Sequence, residues 1–113
     1  MNQAIKDRWI KALNSEEYKQ TRGTLHNNQG FCCLGVLCDL YIQEHQEVKW
    51  VLKNDRFKLM RESGVLPTEV KEWACLEEAN PIIDLGNYRA SLAELNDAGR
   101  NFKEIADVIK EHL

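Results

Sequence analysis

No short motif that carries chemistry on its own is present in these 113 residues. There is no G-x-S-x-G elbow for a serine nucleophile, no Gly-rich phosphate loop, and no H-x-E or H-E-x-x-H for zinc-assisted hydrolysis. The four cysteines, at positions 32, 33, 38 and 75, contain no C-x-x-C, and His45 lies too far past Cys38 for a zinc site. Adjacent cysteines rarely pair with each other, so a disulfide framework is excluded as well. The longest apolar run, Phe31 to Leu40, falls well short of the about 20 residues a helix needs to cross a bilayer. Met1 to Asp7 lacks the apolar region of a signal peptide, which points to the cytoplasm. An excess of positive charge is missing too: 15 basic against 18 acidic residues leave a net charge of −3. That balance argues against a general grip on nucleic-acid backbone and leaves room for one local basic pocket. Repeats, low-complexity tracts and linkers are absent, so residues 1–113 read as a single globular domain.

What is present centres on Phe31-Cys32-Cys33-Leu34-Gly35-Val36-Leu37-Cys38-Asp39-Leu40. A run this apolar must lie at the middle of the core, as a helix from about Cys33 to Gln43. Its cysteines, and Cys75 with them, pack as small hydrophobes, because burial disfavours the reactive thiolate. Asp39 must face outward or find a buried partner. Gly35 costs about 1 kcal/mol in a helix interior relative to Ala, and close approach of another backbone segment explains it.

Ahead of this run, Ile5, Trp9 and Leu13 recur at four-residue spacing, widened by Ile10, and predict an amphipathic helix. Ser15-Glu16-Glu17 can open another short turn. Residues 18–31 predict a small hairpin, with Gln20 to His26 going out and Phe31-Cys32 coming back. Residues 46–66 are ambiguous: Val48 to Leu52 is β-like, Asn54-Asp55 is a turn, and Phe57 to Met60 fits a strand or a helical turn. Pro67 at the first helical position opens a helix that Asn80-Pro81 stops, and Ile82 to Tyr88 is extended. Ser91-Leu92-Ala93-Glu94 and Asn101-Phe102-Lys103-Glu104 are capping boxes, with Gly99 ending the first of the two helices. The second carries Phe102, Ile105, Ala106, Ile109 and Leu113 on one face. The pair resembles the start of a helix-turn-helix, but no recognition helix follows it. The fold class expected is α+β, predominantly helical, with a small antiparallel sheet or hairpin packed on four to five helices.

For function, the sequence offers polar residues for which core packing gives no reason. Tyr18, Gln20 and Arg22 precede the central helix, and Asn96 and Asp97 stand where the apolar pattern lapses. An aromatic face can stack a base, an amide and a carboxylate can read ribose hydroxyls, and arginine can hold phosphate. Arg89 or Arg100 is available for that last task. The candidate ligand-binding set is therefore Tyr18, Gln20, Arg22, Arg89, Asn96, Asp97 and Arg100. No catalytic residue, metal ligand or cofactor is assigned.

Trp9 with Ala12-Leu13, Tyr18-Lys19-Gln20, the Phe31–Leu40 run, Leu66-Pro67, and Leu92 to Gly99 with Phe102 and Ile105-Ala106-Asp107 together resemble a family of small tailed-phage and prophage proteins. The resemblance spans nearly the whole chain. It implies a phage accessory protein in the host cytoplasm that counters defence by sequestering a small anionic nucleotide-type immune signal without altering it. The alternatives it implies are an inhibitor docking directly on a host defence enzyme, and a small hydrolase of such a signal. Membrane and nucleic acid are not expected as partners, and the formation of a homo-oligomer is left open.

Overall fold

The computed structural model describes all of residues 1–113. Helix α1 (Gln3–Asn14) begins at Asn2, whose Oδ1 accepts from the Ile5 N–H at 3.0 Å, and buries Ile5, Trp9 and Leu13. It stops at Ser15 because Glu16 takes a left-handed conformation (φ 65°), so no further turn starts there. The predicted hairpin is real but much shorter: β1 (His26–Asn27) pairs with β2 (Gly30–Phe31). Gln20 meets Phe31 only as an isolated parallel bridge, with Thr21 N–H donating to Phe31 O at 2.8 Å, and residues 22–25 stay outside the ladder. Leu25 N–H donates to the Ser63 carbonyl at 2.7 Å, and Leu25 O accepts from Cys32 N–H at 3.0 Å.

Helix α2 (Cys33–Glu44) is the centre of the molecule, with eight residues from Cys33 to Tyr41 buried. Cys32 caps it, its Sγ accepting from Gly35 N–H at 3.4 Å. A Cβ on Gly35 would lie 1.9 Å from the Leu25 carbonyl oxygen, so the close backbone approach predicted from the sequence is present. Residues 46–66 resolve into a hairpin, the exposed β3 (Val51–Lys53) and the partly buried β4 (Arg56–Lys58), joined through Asn54-Asp55. The strand order β2-β1-β4-β3 makes one antiparallel sheet with β3 at its edge.

Helix α3 (Thr68–Trp73) ends well before Asn80-Pro81. Cys75 adopts φ 57°, letting Cys75 N–H reach Glu72 O and Leu76 N–H reach Lys71 O, the Schellman cap that closes a helix. Strands β5 (Ile82–Asp84) and β6 (Arg89–Ser91) form a separate hairpin. Both capping boxes are formed: Ser91 and Glu94 open α4 (Leu92–Asp97), and Asn101 and Glu104 open α5 (Phe102–His112). Gly99, at φ 109°, closes α4 with the same kind of cap.

The result is α+β, with five helices, a four-stranded antiparallel sheet and a two-stranded hairpin around one core of 25 residues. Helix α5 lays Phe102, Ile105, Ala106 and Ile109 inward and packs chiefly on α1, while Trp9 Nε1 donates to Cys33 O at 2.9 Å. No helix is long and apolar enough to cross a membrane.

Candidate functional site

Three of the seven predicted ligand residues meet at one point, but they hold the protein together there. Asn96 is fully buried. Its Oδ1 accepts from Gln20 Nε2 at 2.8 Å and from Cys33 N–H at 3.2 Å; its Nδ2 donates to Thr21 O at 2.9 Å and to Asp97 Oδ1 at 3.2 Å. Two donors and two acceptor lone pairs are all a carboxamide has. Gln20 Nε2 also donates to Arg100 O at 2.8 Å, and Asp97 Oδ1 accepts from Gly23 N–H at 3.0 Å. The irregular segment before α2 has backbone groups without a ladder; Asn96 supplies the partners that the buried Cys33 N–H and Thr21 O require, and the bonds from Gln20 and to Asp97 continue this network to the exposed rim. The view that packing has no use for Gln20, Asn96 and Asp97 is therefore corrected.

The remaining four are dispersed. Arg22 and Arg89 are exposed and enter no ion pair. Arg100 donates to the Tyr88 hydroxyl at 3.1 Å and lies 3.8 Å from Glu104. Tyr18 donates its hydroxyl to Asp39 Oδ2 at 2.7 Å, and Trp50 Nε1 donates to Asp39 Oδ1 at 3.2 Å. Asp39 thus has two partners, both half-buried like itself. Burial, and then the bond to Asp39, push the Tyr18 phenol well above its usual range, so it stays a neutral donor.

Tyr18 lines two open clefts. One, of about 420 Å³, is bounded by Leu13, Glu16, Gln20, Phe102 and Lys103; the Lys103 and Glu16 side chains lie 3.6 Å apart. The other, of about 280 Å³, is bounded by Arg8, Lys11, Leu40 and Gln43, and Arg8 is paired with Glu44 at 2.6 Å. Nucleophile chemistry has little support. Cys32, Cys33 and Cys38 are buried, and burial pushes the Cys32 thiol up to about 11 and the other two well above their ordinary value. Cys75 departs from the expectation of burial: its place in the α3 cap turns it to solvent.

The most distinctive surface lies on the segment the sequence left undecided. Val51 is 62% exposed and Leu52 is 56% exposed, side by side on the edge strand β3. Between residues 49 and 61 stand five cations, Lys49, Lys53, Arg56, Lys58 and Arg61, against the single acid Asp55. None of the five enters an ion pair within the molecule. The base of this surface is a packed group of rings. The His26 ring is stacked between Phe31, at 3.7 Å, and Phe57, at 4.3 Å, with Trp50 edge-on at 5.1 Å. His26 Nδ1 donates to Gly30 O at 2.7 Å, which fixes the ring. The run of cations was visible in the sequence; the acidic total of the chain obscures it.

The chain belongs to the family described as a domain of unknown function, DUF8296, which matches it over residues 1–113. No curated protein and no solved structure matches it.

Proposed function

We propose that this member of the family is a non-catalytic docking protein that holds a partner protein on the β3 edge of its sheet. The observation that carries the reading is the pair Val51 and Leu52, both more than half exposed on an open strand edge. Exposed apolar residues scattered singly need no explanation, but an apolar, unpaired strand edge is a template for another chain. The resemblance to phage accessory proteins supplies the setting. The partner is then a host defence protein in the cytoplasm, and the chain acts by occupying it.

Sequestration of a nucleotide-type signal is the second reading, favoured by the cleft beside Tyr18 and Gln20. Its weakness is electrostatic: Lys103 is the cation at its rim and stands beside Glu16. A phosphate there would meet a carboxylate as well as an ammonium group.

The test compares the tagged wild type with the Val51→Ser/Leu52→Ser double variant, both expressed in host cells. The two should melt alike, since neither side chain is in the core. The wild type should retain a protein that also binds when both are mixed pure, and the variant should bind it at least about tenfold more weakly. If heat instead releases an intact small molecule equally from both proteins, docking fails and sequestration takes its place. Released reaction product would point to hydrolysis.

A further inference from the structure

We infer that the occupant of this edge is an extended acidic segment of the partner, which joins the sheet as a fifth strand beside β3. The inference rests on the docking reading and adds the partner's conformation and charge.

The conformation follows from alternation along a strand. Val51 and Leu52 are consecutive, so they point to opposite faces of the sheet, yet both are exposed. A partner lying flat on one face covers only one of them. A strand added in the plane of the sheet lies beside both. Backbone geometry agrees. Asn54 and Asp55 have φ of 53° and 66°, the two-residue turn with both residues left-handed. Such a turn makes the flanking Lys53 and Arg56 a hydrogen-bonded pair, and Val51 with Lys58 follows two residues on. Leu52, between them, turns its N–H and C=O to the open edge. A donor and an acceptor therefore wait there for a ladder partner.

Charge selects among strands. Lysines on an edge normally keep sheets from pairing with themselves. A second copy of this chain would bring the same cluster of cations close to itself, which is unfavourable across a strand pair. The same cations admit an acidic strand and reject a basic one. Single-stranded nucleic acid fits less well, because its binding calls for free ring faces on which bases stack. Here both faces of His26 are covered by Phe31 and Phe57, and Trp50 packs edge-on against His26 and Phe31. Val51 and Leu52 also offer nothing to a phosphate.

The experiment uses the full chain and a fluorescein-labelled octapeptide alternating Glu and Val, read by fluorescence polarisation. Controls are the same peptide with Lys in place of Glu, and a labelled oligo-dT strand. The Glu–Val peptide should bind in a salt-sensitive way, with the Lys–Val peptide weaker by about tenfold or more. Leu52→Pro removes an N–H that faces outward and leaves the β3–β4 ladder whole, so it should fold and lose at least about tenfold in binding. The exposed pair Lys49→Glu/Lys53→Glu should do the same. If Leu52→Pro fails to fold, N-methylation of alternate amides in the peptide removes the same bonds from the other side. Absence of Glu–Val binding up to about 1 mM overturns the inference, as does equal binding of the two peptides. So do tighter binding of oligo-dT and a dimer of the free protein that Leu52→Pro dissolves. A natural partner lost on Val51→Ser/Leu52→Ser but kept on Leu52→Pro and on the charge reversal would leave docking standing and remove strand addition.

Discussion

Replacing Asn96 with Ala distinguishes a ligand-binding amide from a structural one. A residue kept for a ligand can be truncated with little effect on the unliganded fold. Asn96 instead makes four hydrogen bonds at a site with no solvent exposure. Alanine leaves Cys33 N–H and Thr21 O without partners, and both residues are buried. Each orphaned buried group costs about 1–3 kcal/mol, so the pair costs about 4 kcal/mol. Gln20 and Asp97 keep their other contacts and add little. In a domain of this size about 4 kcal/mol lowers Tm by about 15 °C. Urea unfolding followed by circular dichroism measures the loss directly, as a lower midpoint at constant slope. Asn96→Asp refines the test. It preserves shape but sets an oxygen against Thr21 O and Asp97 Oδ1 in place of the donor. That buried carboxyl holds its proton more tightly when folded than when unfolded, so the Asp variant should lose stability as pH rises and recover in acid. A change below about 0.5 kcal/mol in the Ala variant, the size of an ordinary surface substitution, would refute the structural role and return Asn96 to the ligand set.

Gly35→Ala should destabilise by about 2 kcal/mol, since overpacking against the Leu25 backbone outweighs the helix-propensity gain of about 1 kcal/mol. Gly64→Ala, with nothing within 4 Å, should change stability by less than about 0.5 kcal/mol; equal effects in paired thermal melts would show that the close approach is soft. Native thiol labelling, read by mass spectrometry, should modify Cys75 quickly and Cys32, Cys33 and Cys38 only on unfolding; prompt loss of a second thiol would contradict this. The unfolded chain gives up the Cys32 proton near its ordinary value of 9.0, whereas the folded chain keeps it to about 11. Stability should therefore fall between those pH values by about 2–3 kcal/mol from this group, and a flat urea midpoint across the window would refute it. Cys75→Gly should raise stability by about 0.5–1 kcal/mol in the same urea assay, because glycine occupies the left-handed position of the α3 cap without strain.

Features written within a few residues were legible in the sequence. Both capping boxes, the Gly99 stop, the inward stripe of α5 and the tight packing at Gly35 could be read because local chemistry determines them. The sheet was not, since β4 is so short and pairs with β1, where Asn27 meets Arg56 far along the chain. The end of α3 was misplaced because Cys75 occupies a position where glycine is the usual signal. Polarity at Gln20, Asn96 and Asp97 was plain, but its purpose was not. Their partners lie across the fold, as when Asn96 meets Thr21 and Cys33. The cations from Lys49 to Arg61 stood in the open, and a count over the whole chain cancelled them.

The pairing of the first helix with the fifth also sets the order in which this protein can be made. During synthesis α1 leaves the ribosome long before Phe102, Ile105 and Ile109 exist, and its largest neighbour in the folded state is α5. Until then Ile5, Trp9 and Leu13 have only part of their cover, and an unfinished chain displays them to chaperones and proteases. The core around α1 is thus complete only once α5 has emerged. Interrupted translation products lacking that helix would be cleared rather than accumulate half-folded.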